Sequence, residues 1–533
     1  MKSSLYAALL AGTALTFACP AVAAQEPPAA QEALDPTDPD TSDTAADAAI
    51  ADAQPVNDAE AKIELLQAQV EALQASIDQL KAQVVKTTPS WKGGPLYEDK
   101  DEGWSFKPRG RIQWDAGFVS NPDDNIITRN LGFNTRARRI RLGAEGTIPG
   151  GFGYKFEMDY ANSNVGFGDV IITYAPKGKV WNWALGNQET NNGLEQQTSS
   201  RFTSFIERAA FDDAFVNTRR IGANLGLVSK AGDMRFNAGL FAAHSIDSGL
   251  DNEGWIAAMR GVFSPLMGTT QLHLAANYQH RKFQANNNGV NTPSSGAPSN
   301  NQLARYRARP FTQLTDIRFV DTGNFAAKSD DIFGLEFAAI HKSLHFASEA
   351  QFLRANSYGA GDTLGFVDSA TLNLFPGNTA SVLVPSGNPS FWGGYAELGY
   401  FFTGETRGYK NGTFDRTKVL KPFSKGGWGA LQLNGRLDYL DLDSNKVKNG
   451  FTNNFQTGGF TPSINLGRGG RQLGLLTSLI WIPEDYMRFY LQYSHAEITG
   501  GPLAGTVKPD STKPLDERKY GVDVIMTRAQ IDF

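Results

Sequence analysis

The chain has 533 residues, a formal net charge of -5, a mean hydropathy of -0.33 and a single cysteine. Its length suits two or three ordinary domains or one large β-barrel. After residue 24 no apolar stretch reaches the about 20 residues that a membrane-spanning helix needs, which excludes a helical membrane protein.

Residues 1–24 have the layout of a secretory signal peptide: Lys2, an apolar core over Leu5–Phe17, and small residues ending at Ala24. Cleavage there removes Cys19, so we expect a mature chain without disulfides or thiol chemistry. Lipid attachment at Cys19 is the alternative, and Thr16 three positions earlier disfavours it.

Residues 25–58 carry nine acidic side chains and no Lys or Arg, among many Ala and Pro. Such a segment has almost nothing to bury, so we predict a disordered acidic linker. The net charge therefore averages unlike regions, and the rest of the chain is mildly basic.

Residues 59–86 carry a heptad seam, which predicts a short periplasmic coiled coil formed by self-association. The alternative is a lone helix packed on the body of the protein. β-Branched residues at one core position and Leu at the other favour two strands. The seam consists of Ile63, Leu66, Val70, Leu73, Ile77, Leu80 and Val84.

From residue 90 to residue 533 the apolar residues recur at every second position. Ile112 and Trp114 share one face of a strand, while Arg111 and Gln113 share the other. Charges opposite the apolar face in strand after strand fit a membrane barrel with a wet interior better than a soluble sandwich. We predict an all-β transmembrane barrel of about 16 antiparallel strands. They lie near 104–118, 134–148, 151–160, 169–176, 180–187, 219–229, 233–243, 254–263, 270–282, 330–341, 343–354, 391–402, 427–442, 471–482, 486–496 and 518–533.

The connections fall into two length classes, which predicts short periplasmic turns on one rim and long extracellular loops on the other. The final strand ends in Phe533, an ending that outer-membrane assembly machinery reads. The predicted location is therefore the outer membrane of a Gram-negative cell. The long connections lie near 283–329, 355–390, 403–426, 443–470 and 497–517.

The polar segment Gly186–Arg208 stands between two predicted strands and has Gly193 between two candidate helical turns. We predict that it lies inside the barrel and narrows an aqueous pore. Glu195 and Glu207 are expected to tie it to arginines of the wall.

Six segments together resemble the phosphate-selective porin O and P family, over roughly residues 90–533. They are RARRIRLGAEG at 136–146, YKFEMDYAN at 154–162, GLEQQTSSRFTSFIERA at 193–209, GETRGYK at 404–410, GGWGALQLNGRLDYLDL at 426–442 and the terminal TRAQIDF. The resemblance implies a sixteen-stranded homotrimeric outer-membrane channel with its third loop folded inward and basic side chains along the path. It also implies an N-terminal periplasmic coiled coil.

The resemblance also implies site residues. Arg138 and Arg139 match a paired Arg that faces the constriction, and Ser199 and Ser200 match paired serines of the inward loop. The family's Lys falls on Gln196 and its Asp falls on Gly168, so half of the phosphate pattern is absent. The matching residues make phosphate and polyphosphate candidate solutes. Because half of the pattern is absent, the alternative is a porin for other small solutes.

Strand parity places Arg111, Arg139 and Arg141 in the lumen, opposite Ile112, Ile140 and Leu142. Guanidinium groups stay charged and offer forked donors to oxyanions. Arg136 and Arg138 have the other parity, and an Arg facing lipid at mid-depth costs about 2–4 kcal/mol. They must lie at the rim or be re-aimed by a bulge, and the resemblance favours re-aiming for Arg138.

Arg201 directly follows the two serines, whose hydroxyl groups can donate to an anion. The alternative is that Thr198–Arg201 caps a turn entering Phe202–Arg208. The predicted anion pathway consists of Arg111, Arg138, Arg139, Arg141, Ser199, Ser200 and Arg201.

A second basic cluster lies in the long loop after residue 283. It would form an entry funnel for anions, bridge lipopolysaccharide phosphates, or be an ordinary solvated loop. Its members are Arg305, Arg307, Arg309 and Arg318.

Other functional classes find little support. His341 and His345 have helical spacing but stand at a strand hairpin, where such spacing does not converge on a metal. No coherent basic surface points to nucleic acid. We expect no enzyme activity, cofactor or metal, and lipid, lipopolysaccharide and small anions as partners. An anion-preferring porin remains, with a tether between outer membrane and cell wall as the alternative.

Overall fold

The computed structural model describes residues 56–85, 90–91, 93–122, 131–161, 165–243, 246, 254–283, 303–358, 381–454, 459–462, 467–506 and 512–533. The predicted signal peptide and nearly all of the predicted linker lie outside these residues. The chain divides into two compact units, Met1–Ile77 and Asp78–Phe533.

Helix α1, Val56–Val85, covers the predicted coiled-coil segment. Ala, Glu and Gln around the seam favour a helix. Within the described residues no helix is both long and apolar enough to span a bilayer. The seam side chains that the structure describes are exposed: Ile63, Leu66, Val70, Leu73 and Ile77.

Sixteen strands of the described chain form the wall, which confirms the predicted barrel, and each overlaps one predicted segment. The period-2 pattern fixes them because one face meets lipid and the other the lumen. They are β1 Trp104–Val119, β2 Gly132–Ile148, β3 Phe152–Asp159, β4 Gly166–Tyr174, β5 Trp181–Gln188, β6 Arg220–Val228, β7 Met234–Ala242, β8 Gly254–Phe263, β9 Thr270–Phe283, β10 Phe325–His341, β11 Leu344–Ser357, β12 Ser390–Phe401, β13 Ala430–Asp441, β14 Arg471–Glu484, β15 Met487–Thr499 and β16 Lys519–Asp532.

The wall closes because β16 pairs antiparallel with β1, from Val524 opposite Val119 to Asp532 opposite Arg111. Closure leaves no free edge of unpaired backbone groups, which a strand in lipid could not tolerate. On β14, Leu475 faces outward and is exposed, while the neighbouring Gln472 is buried inside.

The last residue packs against the first wall strand. Phe533 N donates to Gly110 O over 3.0 Å, and Gly110 N donates to Phe533 O over 3.1 Å. A Cβ at Gly110 would lie 2.2 Å from the Phe533 ring, so glycine is needed for this approach.

Connections on one rim are short, such as 149–151, 342–343 and 485–486, as predicted. The connection 402–429 between β12 and β13 lies on this same rim. Its predicted place among the long loops of the opposite rim is wrong, because successive antiparallel strands reverse direction and length does not decide the rim.

This connection, which we call the rim segment (residues 402–429), enters the lumen as a hairpin of Gly408–Lys410 and Thr413–Asp415. Arg407 donates to Glu397 Oε1 over 3.1 Å and stacks 3.6 Å from the centre of the Phe414 ring. Phe414 N donates to Thr198 Oγ1 over 3.3 Å, so the segment reaches the inward loop from the short-turn side.

Smaller elements complete the described chain. Three short helices are α2 Leu194–Gln197, α3 Ala210–Phe215 and α4 Asn445–Lys448. Single 3-10 turns lie at Phe423–Lys425, Ala504–Thr506 and Leu515–Glu517. Short strands outside the wall are Ser90–Trp91, Pro95–Asp99, Leu266–Met267, Leu303–Ala304, Arg307–Ala308, Val320–Asp321, Ser381–Val384, Phe451–Asn454 and Gly459–Pro462.

Replacing Arg407 by Ala should lower the free energy of unfolding by about 3 kcal/mol, because the buried Glu397 loses a cationic partner. Urea unfolding in lipid vesicles, followed by tryptophan fluorescence, measures the change. Lys410→Ala is the control, since this exposed lysine belongs to the same hairpin. Equal loss in both variants would contradict the assigned role of Arg407.

Candidate functional site

The connection between β5 and β6, residues 189–219, turns into the lumen, as predicted for Gly186–Arg208. Helix α2 follows Gly193 directly, whereas α3 begins only at Ala210. Most side chains of the connection 189–219 are buried, including the large apolar Phe205 and Phe211. We call this connection the inward loop.

The inward loop contacts the wall at β12 and β15, across the lumen from the strands β5 and β6 that it connects. Ser204 Oγ donates to Glu397 Oε1 over 2.8 Å, and Ile206 N donates to Gln492 Oε1 over 2.7 Å. Polar wall side chains thus bind a hydroxyl and a backbone amide of the loop that would otherwise be buried without partners.

Glu195 forms one of the two predicted ties to the wall. Arg436 Nη2 lies 2.8 Å from both carboxylate oxygens of Glu195 and 2.5 Å from Glu397 Oε2. The Arg436 guanidinium also lies over the Phe205 and Tyr395 rings, 4.5 Å and 4.2 Å from their centres. The carboxylates and the rings share one cation on the side of the lumen that the loop fills.

Glu207 forms the second predicted tie. It accepts two bonds from Arg138, of 2.8 Å from Nε and 3.1 Å from Nη2, and one of 3.2 Å from Arg528. Both predictions for the loop glutamates are therefore confirmed.

A β-bulge turns Arg138 inward. Gln113 pairs with Arg139 and Trp114 pairs with Ala137, so Arg138 is the extra residue of β2. A bulge inserts one residue and changes which side chains face inward. The proposed re-aiming of Arg138 is confirmed, and Arg138 and Arg139 reach the lumen together.

The loop touches the wall arginines through Ser200. Arg111 Nη1 donates to Ser200 Oγ over 2.8 Å, and Gln113 Nε2 donates to the Ser200 carbonyl over 3.1 Å. Arg139 Nη1 donates to Gln113 Oε1 over 2.9 Å. Ser200 and the first two wall strands therefore meet in one hydrogen-bonded group.

Ser199 has a local role instead. Its hydroxyl oxygen accepts from Arg201 Nε over 3.2 Å and lies 3.5 Å from Arg201 N. Phe202 N donates to the Ser199 carbonyl over 2.8 Å, so a turn leads into Phe202–Arg208. The alternative that Thr198–Arg201 caps this turn is therefore confirmed for Ser199. Arg201 lies 3.6 Å from Asp532.

Arg141 is bound by two carboxylates of β3. Its Nε donates to Asp159 Oδ2 and its Nη1 donates to Glu157 Oε1, each over 2.7 Å. Glu157 also lies 3.6 Å from Arg111 Nη2. Part of the arginine charge at this level is therefore neutralised by the wall.

A polar cavity of about 360 Å³ lies between the inward loop and strands β1 to β7. Eight basic and three acidic residues line it, so its charge is positive. The basic residues are Arg109, Arg111, Arg139, Arg141, Lys155, Arg201, Arg208 and Arg219, and the acidic ones are Glu157, Asp169 and Glu189.

Both departures from the phosphate pattern border this region. Gln196 lines the cavity and donates to Glu189 Oε2 over 3.0 Å. A Cβ at Gly168 would lie 2.9 Å from Glu157 Oε1, so an acidic side chain there would displace Glu157. Asp169 is ion-paired with Arg219 and Lys155.

Residues 106–500 match the family described as Phosphate-selective porin O and P. The chain belongs to this family. A Caulobacter vibrioides protein of unassigned function is 33% identical over 454 residues, covering 83% of this chain and 77% of that protein. Porin O of Pseudomonas aeruginosa is 27% identical over 389 residues, covering 68% of this chain and 78% of that protein.

Solved outer-membrane channels match the chain at lower similarity. The outer-membrane channel DcaP of Acinetobacter baumannii is 13% identical, with a TM-score of 0.43 and coverage of 81% of this chain and 98% of its own. An anion-selective porin from Comamonas acidovorans is 10% identical, with a TM-score of 0.42 and coverage of 81% and 100%. As a member of a porin family with a closed barrel, the chain is an outer-membrane protein.

Four basic residues of the porin cavity were not among the predicted site residues. Arg109 and Lys155 could have been found, because Arg109 shares the strand face of Arg111 and Lys155 alternates with the outward Phe156 along β3. Arg219 precedes β6, and Arg208 folds back to donate to the Glu195 carbonyl over 3.0 Å. Neither position carries a periodic signal.

The second basic cluster does not converge on the cavity. Arg305 is ion-paired with Asp321, and Arg309 lies 3.1 Å from Asp213. Arg309 also lines a separate cavity of about 280 Å³ together with Arg138. The cluster therefore has no single role in the described structure.

The two histidines at helical spacing have separate partners. His341 Nδ1 lies 2.8 Å from Thr270 Oγ1, and His345 is buried 3.5 Å from Glu397. Across the described ranges no group of three or more His, Cys, Asp or Glu side chains is arranged to hold a metal.

Replacing Arg139 by Ala should reduce the anion-to-cation permeability ratio several-fold, because a cavity cation is removed. Reversal potential in a salt gradient measures it. Arg305→Ala, which removes a cation already paired with Asp321, should leave the ratio unchanged. Equal effects would contradict the placement of the constriction.

Asp212 of α3 is a buried acid of the inward loop. Neither of its carboxylate oxygens has a hydrogen-bond partner among the described residues. Burial, and then the charge of Glu195, raise the pKa of Asp212 well above its ordinary value. Folding therefore takes up a proton at pH values between the unfolded and folded pKa.

The contribution of Asp212 to the free energy of unfolding should consequently fall as pH rises above about 4, the ordinary Asp value, towards the raised pKa of Asp212. In Asp212→Asn this slope should be missing, so the variant gains stability over wild type as pH rises. Urea unfolding across that range measures the difference. Parallel slopes in wild type and Asp212→Asn would refute the assignment.

Proposed function

We propose that this chain forms a passive, anion-preferring diffusion channel, with phosphate and polyphosphate as candidate solutes. The observation that carries the proposal is the excess of basic over acidic residues around the 360 Å³ cavity. A narrow lumen with low-dielectric walls strengthens such a field, which attracts anions and repels cations.

The arginines offer donors beyond their contacts with protein. Arg111 Nε and Arg139 Nε are buried and have no hydrogen-bond partner in the described structure. An oxyanion entering beside these guanidinium groups would regain hydrogen bonds in place of part of its hydration. Solute moves down its own gradient, so binding must be strong enough to favour entry and weak enough to allow exit.

A general small-solute porin is the second candidate, and Gln196 is the observation that favours it. A neutral amide stands where the phosphate pattern of the family has a Lys, and it is engaged with Glu189. On this alternative the cavity prefers anions without selecting phosphate.

We also propose that the protein assembles as a homotrimer whose α1 helices associate through their exposed seam. One amphipathic helix alone cannot bury such a seam. If the barrel were mainly an anchor for a cell-wall tether, purified protein would show no open conductance.

Single-channel recording in planar bilayers, with reversal potential in a salt gradient and phosphate titration, tests the proposal. Anion selectivity with block at low phosphate would support a phosphate channel. Weak selectivity without block would leave a general porin, and absent conductance would leave a tether.

Replacing Gln196 by Lys should lower the phosphate concentration for half-block about tenfold, because it adds a cation at the cavity wall. Gln196→Glu is the matched control and should raise that concentration. Phosphate titration of single-channel current measures both. If the two variants responded alike, Gln196 would not border the solute path.

A further inference from the structure

Outside the lumen, the rim segment ends in a basic and aromatic surface. We call residues 418–428 the rim bracket. Three lysines of the bracket are exposed, and so are three large apolar side chains, Leu420, Phe423 and Trp428. Trp428 is 82% exposed. The lysines are Lys418, Lys421 and Lys425.

The bracket has a defined shape. Gly429 N donates to the Lys421 carbonyl over 2.8 Å, and Gly427 approaches this carbonyl so closely that a Cβ would lie 2.0 Å from the oxygen. Gly426 has a φ of +73°, a backbone conformation that favours glycine. The bracket is therefore a turn with a defined backbone conformation.

The bracket is fixed to the outer, lipid-facing side of the wall. Trp481 Nε1 donates to the Trp428 carbonyl over 2.9 Å, and the Phe423 and Trp481 rings meet edge to face at 5.4 Å. Trp481 stacks on Phe489, one of the exposed aromatic side chains of β15. This places the bracket at the aromatic girdle of the short-turn rim, where a barrel meets the headgroup region.

Three nearby carboxylates accept hydrogen bonds from backbone amides of the bracket. Glu484 Oε1 accepts from Ser424 N over 2.5 Å, and Asp485 Oδ1 accepts from Val419 N over 2.7 Å. Glu405 Oε1 likewise accepts from Leu420 N over 3.1 Å. No ion pair to any of the three lysines is found in the described structure.

We propose that the rim bracket is a docking site for an anionic phospholipid of the periplasmic leaflet. The three ammonium groups contact the phosphate of the headgroup, while Trp428, Phe423 and Leu420 enter the acyl boundary. Lysines near an anionic membrane surface gain favourable energy there, and aromatic side chains prefer this interface.

Charge and position select this occupant. Lipopolysaccharide occupies the leaflet on the long-loop side, whereas the bracket lies on the short-turn rim. A second copy of the bracket would bring like charges together, which is unfavourable. The proposal rests on the outer-membrane orientation of the barrel and does not depend on which solute passes through it.

Native mass spectrometry of the purified full-length protein with phosphatidylglycerol and phosphatidylcholine tests the proposal. Wild type should retain phosphatidylglycerol preferentially. Replacing all three lysines, as Lys418→Gln, Lys421→Gln and Lys425→Gln, should weaken this preference about tenfold or more. A matched control removes three exposed lysines from other short turns, Lys177→Gln, Lys179→Gln and Lys230→Gln, and should keep the wild-type preference.

Three outcomes would overturn the proposal: no preference in wild type, equal loss in both triple variants, or a changed oligomeric state in the bracket variant alone. Measuring the reversal potential distinguishes failure of this proposal from failure of the proposed channel function. Because the bracket lies outside the lumen, its triple variant should retain wild-type ion selectivity even where lipid retention is lost.

Discussion

The position of the inward loop depends on one shared cation. Arg436 of β13 binds Glu195 of the loop and Glu397 of β12, and it is itself buried against two aromatic rings. Two carboxylates this close would repel each other in a buried site without the guanidinium between them. The loop therefore occupies the far side of the lumen, and the free space remains on the side of β1 to β7.

The lumen thus has two halves with different electrostatics. On the filled half, Arg407 is paired with Glu397 and Arg260 with Glu336. On the open half, wall and loop leave a surplus of guanidinium groups around the cavity. These ion pairs hold the filled half together, and the surplus on the open half is the basis of the proposed anion preference.

Much of this fold could be predicted from local patterns, and the remainder depends on contacts distant in sequence. Alternation such as Ile112 and Trp114 against Arg111 and Gln113 located the strands, because lipid and water impose opposite requirements on successive side chains. The same parity could not orient Arg138, since a bulge is a local departure from period 2. Resemblance to known relatives was needed there.

Other features could not be predicted from the sequence. Arg436 and Glu195 are separated by 241 positions, and no local sequence pattern indicates that they form an ion pair. The rim segment was placed on the wrong rim because length was used, although the order of strands would have corrected it. Arg219 and Arg208 reach the cavity from irregular backbone, where no periodicity exists to reveal a direction.

The contact between Phe414 and Thr198 has a mechanical consequence. It joins a segment anchored at the periplasmic rim to a loop anchored at the extracellular rim, and Arg407 reinforces the junction through the Phe202 carbonyl. The two inward pieces form one strut across the height of the barrel. A displacement of the rim segment at Phe414 would therefore be transmitted to the inward loop at Thr198.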